Sequence, residues 1–208
     1  MNPRLPLIVL FLSLGLAPLS GADLPTPAER AAKAKEYAAL RLNYAATAAY
    51  HPYDDVVSDL RVQCAEQMLA KDYAKVIELA DRGLLRDPYN VFLLKMKSNA
   101  CRAAGDPAKA DEVRALWYGL MDSIIDSGDG LSYSTAFHVI TIDEEDATLQ
   151  ALQLTSEERR SVVHRGTEFD VHTARNIKTG DVREVYFNID LPKKWQDRQI
   201  AKRAAAAR

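Results

Sequence analysis

The chain has few of the residues from which most metal and redox sites are built. It contains two cysteines and four histidines among 208 residues. It has no C-x-x-C pair, no H-E-x-x-H motif and neither of the glycine-rich phosphate-binding motifs, G-x-G-x-x-G and G-x-x-x-x-G-K. These absences disfavour a zinc site, a dithiol redox centre and a nucleotide-binding fold. The sequence therefore indicates no cofactor.

An excess of positive charge is also missing. The 27 lysines and arginines are balanced by 29 aspartates and glutamates, for a formal net charge of -2. Because nucleic-acid binding depends on clustered Lys and Arg, we expect no nucleic-acid partner. Only the Ala-rich tail, residues 191–208, is basic.

Long apolar runs are absent except at the N-terminus. Arg4, an apolar run from Leu5 to Leu19 and the small residues up to Ala22 have the three parts of a secretory signal peptide, residues 1–22. The run is short for a membrane span, which needs about 20 residues, so we expect cleavage rather than a retained anchor. The sequence thus predicts an exported protein, periplasmic or secreted, that is not an integral membrane protein.

An exported chain permits disulfide formation between its two cysteines, Cys64 and Cys101. Both lie in predicted helices. A structural disulfide and two buried free thiols are equally compatible with the sequence.

Residues 23–126 have a helical pattern that contains a repeat. Thr26-Pro27-Ala28-Glu29 is a helix-start signal, and the first helix should extend to about Ala48, before His51-Pro52-Tyr53. Lys71-Asp72-Tyr73-Ala74 and Gly105-Asp106-Pro107-Ala108 then recur 34 residues apart, the tetratricopeptide period. Two such α-hairpins need capping neighbours, so we expect the first helix and the segment after Ile125 to cover the stack. An ordinary helical bundle is the alternative.

Residues 127–190 change to an extended pattern. Thr135 to Ile142 reads as a covered central strand, and a short helix should start at Asp143-Glu144-Glu145-Asp146. Thr155-Ser156-Glu157-Glu158 resembles a capping box and predicts another helix or turn. Two strands, Thr167 to Arg175 and Arg183 to Asp190, form a hairpin through Gly180. We expect an α+β fold in which the tetratricopeptide-like hairpins share one core with an antiparallel sheet of about three strands, followed by a loosely held basic helix.

The loop between the two halves is the candidate functional segment. Its residues are Asp126, Gly128, Asp129 and Gly130, with His138 on the following strand. Glycines there permit a tight turn whose N–H groups or carboxylates could hold an ion. A structural turn that ends the helix is the favoured interpretation.

A weaker alternative is a metal site made by His138, Asp170 and His172, two histidines and a carboxylate on neighbouring strands. Alternation along the strand places Asp170 and His172 opposite Phe169 and Val171, on the solvent side. This placement argues against the site.

Several short motifs resemble those of a family of exported bacterial proteins known as domain of unknown function 4919. They are His51-Pro52-Tyr53, Ser127-Gly128-Asp129-Gly130, Ser134-Thr135-Ala136-Phe137, Val139-Ile140, Glu144-Glu145, Phe169-Asp170 and Tyr186-Phe187-Asn188-Ile189-Asp190. Asp146 departs from the family pattern, which often has Tyr at that position. The resemblance covers nearly the whole mature chain and implies no activity. It implies that the glycine-aspartate loop and the strand after it are the family's signature.

These observations predict a non-catalytic protein-interaction module of the bacterial cell envelope. Stacked helix pairs present a groove that suits a protein or peptide partner, or a second copy of the chain. The aromatic residue that we expect to be exposed is Tyr89 or Tyr53, each of which lies beside a proline that ends a helix. The alternative is a small hydrolase or metal-dependent enzyme centred on the loop from Asp126 to Gly130 and on His138.

Overall fold

A computed structural model describes residues 27–207 of the chain. The predicted signal peptide, residues 1–22, lies outside the described residues. The described part has an α+β fold of seven α-helices and four strands. They are α1 (Pro27–Ala45), α2 (Asp55–Leu69), α3 (Tyr73–Leu84), α4 (Val91–Ala103), α5 (Pro107–Ile125), β1 (Phe137–His138), α6 (Ile142–Ala151), β2 (Leu154–His164), β3 (Thr167–Asn176), β4 (Val182–Asn188) and α7 (Asp190–Ala206). No helix within residues 27–207 has the length and apolar character needed to cross a membrane.

The helices α2 to α5 form two consecutive α-hairpins. Their second helices start alike, because Asp72 accepts a hydrogen bond from the Lys75 N–H at 3.0 Å and Asp106 accepts one from the Lys109 N–H at 2.9 Å. These two N-caps are 34 residues apart, so the spacing seen in the sequence corresponds to a repeated local structure. Membership of the tetratricopeptide class stays a prediction.

Helix α1 covers the α5 end of the stack. The Tyr37 ring of α1 lies against α5 at Gly119, where an added Cβ would lie 2.0 Å from the Tyr37 Cε2. Only glycine leaves room for this ring. The predicted capping role of the first helix is thus confirmed by its packing, although the helix ends at Ala45 rather than near Ala48.

The sheet has four strands in the order β1-β4-β3-β2, with β1 parallel to β4 and the other pairs antiparallel. The predicted central strand from Thr135 to Ile142 is wrong, because only Phe137–His138 pairs, at the edge of the sheet. Beyond it, the Ile140 N–H donates to the Glu144 carboxylate at 2.7 Å instead of to a strand. A side chain therefore satisfies the backbone there, and α6 begins two residues later.

Strand β2 replaces the helix or turn predicted from the second capping box. Leu154–His164 pairs with β3 along its length, with a bulge between Ser156 and Glu158. The capping signal failed because ten of the eleven residues of this segment pair with β3, whereas the capping residues offer only local bonds. The exposed charges of β2 are typical of an edge strand.

The β3–β4 hairpin was predicted correctly, but the sides of β3 were not. Asp170 pairs with Phe187, and His172 pairs with Val185. Phe187 and Val185 belong to the main core beneath the helices. Asp170 and His172 therefore face inward, where they are only 4% and 2% exposed.

The apolar residues of β3 cover the other side of the sheet. Phe169 and Val171 form a small cluster with Ala136, and the Tyr133 ring packs on Phe169 with 5.1 Å between ring centroids. At this strand both faces of the sheet are covered. The alternation of polar and apolar residues along β3 therefore does not indicate which face packs against the helices.

One core joins the two halves, with residues from α4, α5, α6 and all four strands. Helix α7 is attached to this body by its first half. Pro192 is buried, and the Trp195 ring lies 4.3 Å from that of His51, centroid to centroid. The tail predicted as loosely held is therefore docked at its start, and its side chains are largely exposed from residue 197 onward.

Candidate functional site

The loop singled out in the sequence is held by its own contacts. The Ser127 hydroxyl accepts a hydrogen bond from the His138 N–H at 2.8 Å. An added Cβ on Gly128 would lie 2.2 Å from the Thr135 carbonyl oxygen, and Gly130 has a φ of +68°. The glycines are thus required by a tight turn that joins α5 to β1.

The polar side chains of this loop do not converge. Asp126, Asp129 and His138 are exposed. The Asp129 carboxylate accepts a hydrogen bond from the Leu131 N–H at 2.9 Å. A hydrogen bond from Thr135, followed by bonds from the backbone, lowers the pKa of Asp129. This carboxylate stabilises its own turn, as the structural interpretation of the loop predicts.

The three residues of the weaker metal alternative are not brought together. His138 is exposed on β1, whereas Asp170 and His172 are buried on β3, and strand β4 lies between β1 and β3. Across residues 27–207 there is no group of three or more metal-ligating side chains with the geometry of a metal site.

The sequence left open whether the two cysteines form a disulfide or are buried free thiols, and the structure shows buried free thiols. Cys64 and Cys101 are free and buried. Burial raises the pKa of the Cys64 thiol to about 11, so this thiol is held in its unreactive protonated form.

The first turn of α6 carries the most unusual group of side chains in the described structure. Asp143, Glu144 and Glu145 are consecutive acids that are only 8%, 1% and 0% exposed. Consecutive helical residues point about 100° apart, so each acid reaches a different part of the fold. A helix N-terminus favours negative charge, but buried carboxylates also need specific partners.

Glu144 is paired with Arg41 of α1. The Arg41 Nε and Nη2 donate to the two carboxylate oxygens at 2.8 and 2.6 Å, a bidentate contact. The same guanidinium donates to the Ser123 hydroxyl at 3.2 Å and to the His138 carbonyl at 2.9 Å. Glu144 and Arg41 therefore tie α1, α5, β1 and α6 together.

Asp143 faces the hairpins. It pairs with Arg61 of α2 and accepts a hydrogen bond from the Asn90 amide at 2.7 Å. The same amide nitrogen donates to Asp87 at 3.0 Å. Burial, opposed by the Asn90 bond, raises the pKa of Asp87 to about 6, and burial also raises the pKa of Asp143.

Glu145 faces the sheet. One carboxylate oxygen, Oε2, lies 2.8 Å from the His172 Nε2, and the His172 Nδ1 lies 2.8 Å from the Ser156 hydroxyl. The other oxygen, Oε1, is buried and has no hydrogen-bond partner. Burial, partly offset by the His172 bond, raises the pKa of Glu145 to about 7.

Two adjoining cavities open beside these acids. The first has a volume of about 240 Å³ and lies between residues 51–54, the start of α2, the Asn90 turn and Asp143. The second has a volume of about 220 Å³ and lies between α6, β2, β3 and the start of α7. Tyr53 and Ile142 line both cavities.

The sequence singles out one residue that lines both cavities, Tyr53, but it does not indicate that buried acids lie beside them. Tyr53, predicted to be exposed, is half-buried and lines both cavities, whereas Tyr89 is half-buried against the core. The sequence indicates the acids of α6 as favourable charges at a helix start and as a motif of the family, but it does not indicate their burial or their partners. Their partners lie 27 to 103 residues away along the chain, and no local pattern encodes such pairings.

The family resemblance is confirmed. The model of a family described as a domain of unknown function, DUF4919, matches residues 28–198, which is most of the chain. The chain belongs to this family. Comparison with curated proteins and with solved structures gave no match.

Proposed function

We propose that this protein is exported and acts as a non-catalytic interaction module of the bacterial cell envelope. Its first cavity would bind a basic segment of a partner protein. The proposal rests above all on the charge of that cavity. Its lining holds four aspartates, Asp54, Asp55, Asp87 and Asp143, and one arginine, Arg61, while Arg86 pairs with Asp54 from outside the lining.

The position of the cavity supports a docking role. Helix α6 packs against α4 and α5, so that Asp143 in its first turn lies next to the hairpins. The cavity remains accessible beside α2, with the His51-Pro52-Tyr53 loop on its rim. A partner segment would therefore lie along the N-terminal end of α2.

The size of the cavity indicates a side chain rather than a whole cofactor. Sites for drug-sized ligands and cofactors usually have volumes of about 300 to 1,000 Å³, and this cavity has about 240 Å³. A lysine or arginine side chain fits such a volume. Asp55 is exposed at the edge, where it would meet an approaching cation first.

Asp55→Asn tests this proposal. We expect the variant to bind a fluorescent lysine-rich nonapeptide about three- to tenfold more weakly than the unaltered protein, because a charge facing the ligand is removed. Fluorescence anisotropy at two salt concentrations measures the effect, and raising the salt should weaken binding by the unaltered protein. The matched control is Asp59→Asn, since Asp59 is exposed on the same helix and does not line the cavity.

Equal losses in the two variants, or equal binding of a nonapeptide with norleucine in place of each lysine, would contradict the proposal. The enzyme alternative centred on the loop from Asp126 to Gly130 gains no support from the geometry. The loop's glycines and Asp129 serve the turn itself.

A further inference from the structure

The second cavity contains a feature that the contacts within the fold do not account for. Glu145 is fully buried, and its Oε1 has no hydrogen-bond partner, although Glu145 lines the cavity. A buried acceptor that loses water without gaining a donor destabilises the fold. Native structures contain few such groups, and each calls for an explanation, of which a ligand that supplies the missing donor is one.

A second carboxylate faces the same cavity. Asp170 is 4% exposed, and it accepts a hydrogen bond from the Ser161 hydroxyl at 2.5 Å. Its negative charge adds to the rise in the pKa of Glu145, so the two carboxylates repel each other. A cation between them would remove this repulsion.

The walls of the cavity suit an organic cation. Ile142, Ile189 and Pro192 provide apolar surface, and Tyr53 adds an aromatic ring. Methylene groups pack on such walls, and an aromatic face attracts a cation. The described residues offer no metal-ligating group of three, which disfavours a metal ion as the occupant.

The basic residues of the cavity are already engaged. The Arg159 Nε lies 3.8 Å from Asp170 Oδ2, and Lys193 of α7 lies 3.3 Å from Asp197 and 3.1 Å from the Gln196 side chain. The Glu145 Oε1 is left without either of them. These two cations border the site without filling it.

We propose that the second cavity binds an alkylammonium group, with Glu145 Oε1 as its acceptor and Asp170 as its second anion. The group could be a free small amine or a lysine side chain. The latter source rests on the proposed function, since the shared residues Tyr53 and Ile142 would let one basic segment reach both cavities.

Calorimetry with defined amines tests the proposal. The probes are N-acetyl-lysine methylamide, its norleucine counterpart, which lacks the charge, and 1,5-diaminopentane. We expect the lysine compound or the diamine to bind at least tenfold more tightly than the norleucine compound. Tighter binding of the diamine identifies a small amine as the ligand, and tighter binding of the lysine compound identifies a side chain.

Glu145→Gln should weaken binding of the amine at least tenfold. The matched control Glu158→Gln should not, because Glu158 is exposed on β2 and lines neither cavity. Binding to the unaltered protein should strengthen between pH 6 and pH 8, as Glu145 loses its proton. The other titratable or charged groups around Glu145 are Asp170, Arg159, Glu168, Lys193, Tyr53 and His172.

Equal binding of the charged and uncharged probes overturns the proposal, as does unchanged binding by Glu145→Gln. If that variant does not fold, NMR titration of Glu145 in the unaltered protein decides: saturating amine should lower its pKa, and no change refutes the site. Asp55→Asn separates this inference from the proposed function. This variant should bind the nonapeptide more weakly and bind the free diamine as tightly as the unaltered protein does, because Asp55 lines only the first cavity.

Discussion

At the scale of single residues, the three buried acids of α6 differ in how well the fold compensates their charge. Glu144 has a bidentate guanidinium, and Asp143 has an amide and a guanidinium. Glu145 has only His172 on one oxygen. The sequence Asp-Glu-Glu does not distinguish these three environments, because each is created by a different neighbouring element.

The raised pKa of Glu145 predicts how stability depends on pH. The folded state holds this proton more tightly than the unfolded state, whose pKa is near 4.5. The free energy of unfolding should therefore fall as the pH rises from about 4.5 to about 7. Glu145 alone would contribute roughly 3 kcal/mol, since one pKa unit corresponds to about 1.4 kcal/mol.

Urea denaturation at several pH values measures this dependence. Glu145→Gln should flatten much of it, and Glu158→Gln should leave it unchanged. Asp87, with its pKa raised to about 6, accounts for a remaining slope of the same sign. An identical pH dependence in Glu145→Gln and the unaltered protein would show that Glu145 is not the group responsible.

At the scale of elements, local signals predicted the starts of helices better than the roles of strands. Asp72 and Asp106 are N-caps of equivalent helices, and short-range contacts suffice to define them. The Thr155 capping signal failed because β3 pairs with that segment. The structural interpretation of the turn after α5 agrees with the geometry, since Gly128 packs against the Thr135 carbonyl oxygen and Gly130 has a φ of +68° next to the Phe137 ring.

Gly128→Ala tests whether this turn is structural. We expect it to lower the free energy of unfolding by about 3 kcal/mol, because the new Cβ would collide with the Thr135 carbonyl oxygen, which cannot move freely. Gly180→Ala is the control, since its Cβ meets nothing within 4 Å and its φ of +79° costs only about 1–2 kcal/mol. Equal losses in the two variants, measured by urea denaturation, would contradict the steric argument.

At the scale of the whole molecule, buried polar contacts connect the helical half to the sheet half. Arg41 and Glu144 lie 103 residues apart and are 3% and 1% exposed. Removing one partner of such a pair leaves a buried charge without compensation. Their contact therefore contributes to the arrangement of both halves as one body.

Arg41→Met should lower the free energy of unfolding by about 3–5 kcal/mol, because it leaves the buried Glu144 carboxylate without its positively charged partner. The double variant with Glu144→Leu should recover part of this loss, since neither charge remains. Arg102→Met breaks a surface pair with Asp111 and should cost at most about 1 kcal/mol. Chemical denaturation of the four proteins decides, and a loss in Arg41→Met no larger than in Arg102→Met would refute the role assigned to the pair.

Local patterns in the chain suffice to predict the α+β class, the helical hairpins with their 34-residue offset and the β3–β4 hairpin, and the resemblance of short motifs suffices to recognise the family. The elements themselves depend on capping residues, glycines and periodicity, which act between residues close in the chain. Packing between distant elements sets which face of β3 is buried, where β2 pairs, and which partners Asp143, Glu144 and Glu145 have. The reason is physical: a buried charge is stabilised by whichever distant side chain the packing brings to it, and that distance in sequence leaves no local pattern.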